Sequence, residues 1–327
     1  MPKVSVLATG GTIATRRRAD GSSVAAASAE ELVASLPALP DVEVVVDDVF
    51  RIGSYRMTLE RMAQLAARAR EHLADGAAGV VVTHGTDTIE ETALFLELFV
   101  DGERPVVHTG AQRAADAPDS DGPRNLAEAI TVAVDPDSAG RGAMVVFDGT
   151  VYPARGIRKA HTLASTAFLA PDGGTLGWVH GGRVQMGARR TAGAALDLSA
   201  FDPARARVDI VACYPGADAT ALHAFATAGA RGVVLEGTGA GNANPEICGA
   251  VADLCAAGVV VVTATRVDQG PVAAIYGDGG GIDLLAAGAI PAGRLRPSQA
   301  RICLAALLGV RDDVTVVREE LPALLSG

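Results

Sequence analysis

A chain of 327 residues exceeds the ~250–300 at which one hydrophobic core stops growing, so two domains are expected. Hydrophobic residues make up 49% and charged residues 20%, which is ample for packed interiors. The formal charge of −10 argues against nucleic acid and anionic membrane surfaces as partners, and no run approaches the ~18 apolar residues that span a bilayer.

Met1-Pro2-Lys3 runs directly into an apolar segment at 4–8, which reads as a first strand rather than a leader peptide and implies a cytoplasmic location. Ser28-Ala29-Glu30-Glu31 has the spacing of a capping box, with the serine accepting from the third amide and the glutamate reaching back. It predicts a short helix ending near Pro37. Valine-rich runs at 42–46, 79–83, 105–109 and 143–147 read as buried strands, and apolar residues at helical spacing over 59–73 and 89–100 supply helices between them. The pattern restarts after the polar, small-residue stretch that begins at Arg189, with strands at 209–213, 232–236 and 258–263 and helices near 219–228, 245–257 and 298–308. Strands alternating with helices imply mostly parallel sheets covered on both faces. The expectation is therefore an α/β chain with a larger domain at 1–190, a linker at 191–206 and a smaller domain at 207–327. Cys213, Cys248, Cys255 and Cys303 form no C-x-x-C pair and read as thiols of a reducing cytosol.

Three places carry candidate chemistry. In Thr9-Gly10-Gly11-Thr12-Ile13-Ala14 a strand ends at two glycines and a threonine follows. Open sheets bind ligands beyond the carboxyl ends of their strands, where a hydroxyl meets substrate and glycines let backbone amides approach a developing oxyanion. A tight turn needing positive φ would also explain the glycines, and the G-x-G-x-x-G spacing of a nucleotide loop is absent. His84-Gly85-Thr86-Asp87-Thr88 again follows a strand and opens a helix, a setting that favours an anionic group. Thr86 offers a second hydroxyl and Asp87 a partner for a substrate ammonium, while plain helix capping by Asp87 or Thr88 is the competing reading. The other five histidines are scattered with no metal-ligand spacing to His84, so neither metal nor cofactor is expected. The third place is Lys159. All but two of the 28 basic residues are arginine, yet a lysine stands here beside Arg158. Proton transfer needs a cation that can lose its charge, which lysine can do and arginine cannot.

Residues 9–14 and 84–88 together resemble the two signature motifs of the bacterial-type asparaginase/glutaminase family. Ile52-Gly53-Ser54 is similar to that family's substrate loop, Asp121-Gly122-Pro123-Arg124-Asn125-Leu126 to its Asp-Gly-Pro-x-Asn-Leu segment, and Gly239-Ala240-Gly241-Asn242 to its second-domain loop; Lys159 falls where the family has its catalytic lysine. The resemblance implies a smaller, flavodoxin-like C-terminal domain and a homotetramer built as a dimer of dimers, whose active sites combine residues of two protomers. It implies cofactor-free hydrolysis of L-asparagine to L-aspartate and ammonia through an acyl ester on Thr12, with a Thr86–Lys159–Asp87 group behind the reaction. Gly11, Ser54, Tyr55, Gly85, Thr86, Asp87, the backbone near Ala111, and Asn242 from a neighbouring protomer would hold the small amino-acid amide. The chain departs from the pattern in three ways. Residues 15–27 contain no tyrosine, Ser23 or Val24 falling nearest; Tyr55 replaces the usual glutamine; and no glutamate follows Arg266-Val267 through 281. A glutaminase or mixed activity is the rival within the class, and a non-catalytic amino-acid sensor the rival outside it; ammonia release from asparagine separates hydrolase from sensor.

Overall fold

A computed structural model describes residues 1–17, 20, 23–25, 28–36, 39, 41–187 and 193–326, and divides the chain into two units, Met1–Ala195 and Leu196–Gly327. The expected end of the first helix at Pro37 and the first residues of the expected linker lie outside the described residues.

The first unit contains β1 (Lys3–Gly10), β2 (Thr15–Arg17), β3 (Ser23–Ala25), α1 (Ala29–Ala34), β4 (Glu43–Ile52), α2 (Leu59–Ala74), β5 (Gly79–Thr83), α3 (Ile89–Phe99), β6 (Val106–Thr109), α4 (Gly122–Val134), β7 (Ala143–Phe147), β8 (Thr150–Pro153), β9 (Arg158–Lys159), β10 (Phe168–Leu169), β11 (Gly177–His180) and β12 (Arg183–Met186). Its main sheet runs β12-β11-β8-β7-β6-β5-β1-β4. The pairings from β4 through β1, β5 and β6 to β7 are parallel, as the valine runs imply, and every residue of β5 and β7 is buried. Leu32 of α1 and Leu126, Ala129, Ile130 and Ala133 of α4 pack with Val4, Val6, Val81 and Val107 on one face. Helices α2 and α3 cover the other, α2 burying Met62, Leu65, Ala66, Ala69 and Leu73 at helical spacing. The capping box at Ser28 and Glu31 is formed.

Helix α4 was not among the expected helices, and two further features differ from the sequence expectation. Strand β4 continues to Ile52, beyond a valine run that ends at Val46 and meets two aspartates, because both carboxylates find partners. Asp47 accepts from Arg68 at 2.7 Å and pairs with His72 at 3.1 Å, and Asp48 accepts from Arg51 at 2.7 Å. The sheet is also extended by the antiparallel strands β8, β11 and β12. Asp148 (φ 49°) and Gly149 (φ 75°) join β7 to β8, and Gly181 and Gly182, both at positive φ, join β11 to β12. Paired left-handed residues make the two-residue turn that suits a twisted hairpin.

The second unit contains β13 (Val208–Ala212), α5 (Thr220–Thr227), β14 (Gly232–Gly237), α6 (Pro245–Ala256), β15 (Val260–Thr265), α7 (Gly281–Ala286), β16 (Ile290–Pro291), α8 (Pro297–Val310) and α9 (Val314–Ser326). Its four strands are parallel and lie in chain order. Leu222 of α5 and Ile247 and Val251 of α6 pack on Val233, Leu235 and Val261, while α8 lies against the sheet's other face. Gly232 permits that contact, since a Cβ there would sit 2.6 Å from Leu304. Residues 198–200 and 203–205 form short 3-10 turns of this unit, and the Phe201 ring lies over Gly309. Helix α9 was not foreseen. Cys213, Cys248 and Cys303 are buried and Cys255 half-buried, all as free thiols, and burial pushes the Cys213 thiol up to about 11. Among the described residues no helix is long and apolar enough to cross a membrane.

Candidate active site

The loops that leave the carboxyl ends of β1, β4, β5 and β6 meet backbone on backbone. A Cβ on Gly10 would fall 2.6 Å from Ile52 N and O, one on Gly11 2.4 Å from Gly85 N, and one on Gly110 2.4 Å from His84 O. Gly10 (φ 98°) and Gly11 (φ 79°) also occupy the left-handed region, so two separate constraints exclude a side chain at the end of β1. Gly85 must be bare for a third reason, because its Cβ would sit 2.6 Å from Ser54 Oγ. The seams are tied by Gly11 N donating to Ile52 O (3.0 Å), Thr15 Oγ1 to Gly11 O (2.8 Å) and Thr88 Oγ1 to Ser54 O (2.9 Å). Neither Asp87 nor Thr88 caps α3 with its side chain, which leaves the Asp87 carboxylate available to the site.

A cavity of about 640 Å³ opens over these loops, lined by Gly11, Thr12, Ser54, Tyr55, Gly85, Thr86 and Asp87 and by residues that sequence reasoning did not single out, among them Thr15, Arg51, Arg56 and Gln112. Ser54 and Thr86 are buried, Thr12 is half-buried and Tyr55 is exposed. Behind the cavity wall stands Lys159, its side chain 17% exposed against 57% for Asp87. Its Nζ donates to Thr86 Oγ1 at 2.7 Å and to Asp87 Oδ1 at 2.6 Å. The lysine is held from behind by its own backbone, whose amide donates to Glu90 Oε2 in the first turn of α3 at 2.7 Å. An amine joined at once to a hydroxyl and a carboxylate can take and return a proton along that chain.

Asp121-Gly122-Pro123-Arg124-Asn125-Leu126 acts as a buttress rather than as lining. The Asp121 carboxylate accepts from the amides of Gln112 (3.0 Å) and Arg113 (2.9 Å), and Asn125 Nδ2 donates to Gly110 O (3.0 Å). Ala111 is fully buried between these anchors and its neighbour Gln112 faces the cavity instead. Beneath the loops, burial pushes the His84 imidazole down to about 4, with Nδ1 donating to Gly85 O at 2.7 Å. Burial, and the neighbouring His84, push His108 down to about 3. Both are neutral structural groups. Among the described residues no cluster of His, Cys, Asp and Glu could hold a metal ion.

Asn242 lies in the second unit, where its backbone carbonyl accepts from Thr238 N (2.8 Å) and its Oδ1 from Gly281 N (3.1 Å). Ser23 and Val24 lie on β3 opposite Arg17 and Arg16, and their side chains are outside the described residues.

The family models described as Asparaginase, N-terminal and Glutaminase/Asparaginase C-terminal domain match residues 3–192 and 207–321. The protein named Probable L-asparaginase of Deinococcus radiodurans is 39% identical over 327 residues, covering 96% of each chain. L-asparaginase of Bacillus licheniformis is 35% identical, covering 95% of this chain and 98% of its own. Among solved structures, the probable cytoplasmic L-asparaginase of Campylobacter jejuni superimposes with a TM-score of 0.86 at 32% identity, covering 98% of this chain and 99% of its own.

Proposed function

The chain belongs to the asparaginase/glutaminase family and is an L-asparagine amidohydrolase, and from that premise we propose how its own residues perform the reaction. Thr12 attacks the side-chain amide carbon of asparagine, its hydroxyl proton passing to the Thr86–Lys159 chain, and main-chain amides of the loops that follow Gly11 and Gly85 stabilise the negative charge that develops on the oxygen. The C–N bond then breaks, ammonia leaves carrying the proton supplied along Thr86 and Lys159, and a β-aspartyl ester remains on Thr12. Water hydrolyses that ester, releasing aspartate and returning the proton to the threonine. Asp87 has two duties, orienting the Lys159 ammonium and offering its exposed carboxylate to the substrate α-ammonium, while Ser54 and Tyr55 bound the amino-acid end.

One observation carries this reading: Lys159 Nζ bridges Thr86 and Asp87 beside a cavity that also contains Thr12. A helix-cap role for Asp87 would have turned its carboxylate toward α3 and left the lysine with Thr86 but without the Asp87 carboxylate. The protein acts in the cytoplasm on a free amino-acid amide, and it assembles as a homotetramer in which Asn242 completes a neighbouring protomer's pocket. Asparagine is preferred over glutamine, because one added methylene displaces the amide from Thr12 and a misplacement of ~1 Å costs ~10²-fold. The test is ammonia release from the two amides, with sedimentation at assay concentration. A markedly higher specificity constant for asparagine, from a species larger than a monomer, is expected. Equal constants contradict the preference, and a fully active monomer contradicts completion of the site in trans.

A further inference from the structure

The Thr86 hydroxyl has two neighbours, and only one of them belongs to the lysine–carboxylate chain. It accepts from Lys159 Nζ at 2.7 Å and donates to Gln112 Oε1 at 3.1 Å. The oxygen end of that amide must face Thr86, because the nitrogen end is occupied elsewhere. Gln112 Nε2 donates to the carbonyls of Thr162 (3.3 Å) and Ala164 (3.1 Å), in the turn that follows Lys159. That turn is itself closed by His161, whose Nδ1 accepts from the amides of Leu163 (3.0 Å) and Ala164 (2.9 Å). The backbone of Gln112 is fixed independently by the Asp121 carboxylate, at 3.0 Å and 3.1 Å from its amide nitrogen. With both ends of the side chain and the main chain committed, the residue can present only an acceptor to Thr86.

We propose that Gln112 is a positioning residue for amide hydrolysis, which sets the rotamer and proton direction of Thr86 and ties them to the turn carrying Lys159. The proposal rests on the reading of Thr86 and Lys159 as the proton path. Thr86 must keep its lone pairs toward Lys159 to accept from the amine, and a freely rotating O–H would spend part of its time pointing its proton at Lys159 instead. The Gln112 acceptor prevents this in the resting site. The proton goes to the departing nitrogen when the hydroxyl turns from Gln112 to the substrate, as Lys159 replaces it. An unbranched apolar side chain of similar length fills the same space but supplies neither the acceptor nor the two donor contacts.

The experiment compares wild type, Gln112→Met, Thr86→Ala and the double variant, measuring kcat and KM for asparagine. Gln112→Met is expected to lower kcat ~10-fold, the scale of one neutral hydrogen bond, with KM changed less than about twofold. In the Thr86→Ala background the same change is expected to lower the residual turnover no further, since its target is gone. Wild-type kcat for Gln112→Met with Thr86→Ala inactive overturns the positioning role and leaves the proton path standing. An equal further loss in the Thr86→Ala background also overturns it, because the glutamine would then act on something else. Full activity of Thr86→Ala overturns the proton path itself, and the proposal with it. Gln112→Glu guards against misfolding of the methionine variant. A protonated carboxyl can accept from Thr86 and donate to one carbonyl, whereas a carboxylate opposes both carbonyls. Its turnover relative to wild type should therefore rise several-fold as the pH falls toward 5, and a pH-independent ratio contradicts the proposal.

Discussion

The cavity has two unlike sides. The floor, built from the loops at 10–12, 52–54 and 84–85, is held by main chains in contact, with glycine wherever two backbones cross. The wall behind Thr86 is held by side chains, namely Lys159, Asp87, Gln112 and the Glu90 and Asp121 carboxylates that steady them. A floor of this kind tolerates no added atom, whereas the wall tolerates changes of size and fails when a donor or acceptor is lost. Stability should therefore respond to the floor and turnover to the wall, with Thr12 as the exception that stands on the floor and does chemistry.

That exception provides the largest effect. Thr12→Ala removes the attacking oxygen without adding an atom, so turnover should fall on the order of 10³-fold or more while the melting temperature stays put. Ammonia release by the purified variant, beside its thermal melt, checks both halves. Gly11→Ala should do the opposite. Its new methyl would sit 2.4 Å from Gly85 N on a residue at φ 79°, and the combined clash and backbone strain should cost on the order of 2–4 kcal/mol of stability. Denaturant unfolding measures it; a loss below about 0.5 kcal/mol would mean the two loops part easily and the floor is not rigid.

Much of the floor was legible in the sequence. Gly10-Gly11-Thr12 after a valine strand, and Gly85-Thr86-Asp87 after another, are local signals whose physical cause, a chain that must turn and approach a neighbour, is itself local. The parallel core strands and α1, α2 and α3 were legible for the same reason, whereas α4 was not foreseen. The wall was only half legible. Lys159 stood out because the chain otherwise writes arginine, but the Thr86–Gln112 bond spans 26 positions and the Lys159–Glu90 bond 69, and no periodicity marks either. The antiparallel edge strands escaped because they are short, although Asp148-Gly149 and Gly181-Gly182 were turn signals that could have found them. Extension of β4 past Asp47 and Asp48 could not be seen without knowing that Arg68 and His72 would stand opposite.

A smaller effect tests the floor from beneath. His84 and His108 are held neutral by burial, at about 4 and about 3 against an ordinary 6.5. Their folded values are depressed, so the stability they contribute is present above 6.5 and is lost as the pH falls, since the unfolded chain takes up protons that the folded one refuses until about 4 and then about 3. Each should remove up to ~1.4 kcal/mol per pH unit in that window. Melting curves from pH 7 to pH 4 on wild type and His108→Gln should show a shallower acid loss in the variant. Parallel curves would mean that His108 does not titrate on unfolding.

The central claim is that the wall moves a proton, and Lys159→Arg tests it most directly. The guanidinium keeps the positive charge beside Asp87 but cannot give up its proton, and its planar fork is bulkier than the ammonium it replaces. Steady-state ammonia release from asparagine by the purified, folded variant should fall ~10²–10⁴-fold, the range of a lost general acid–base group. Turnover at the wild-type rate would show that the lysine takes no part in proton transfer and contradict the account.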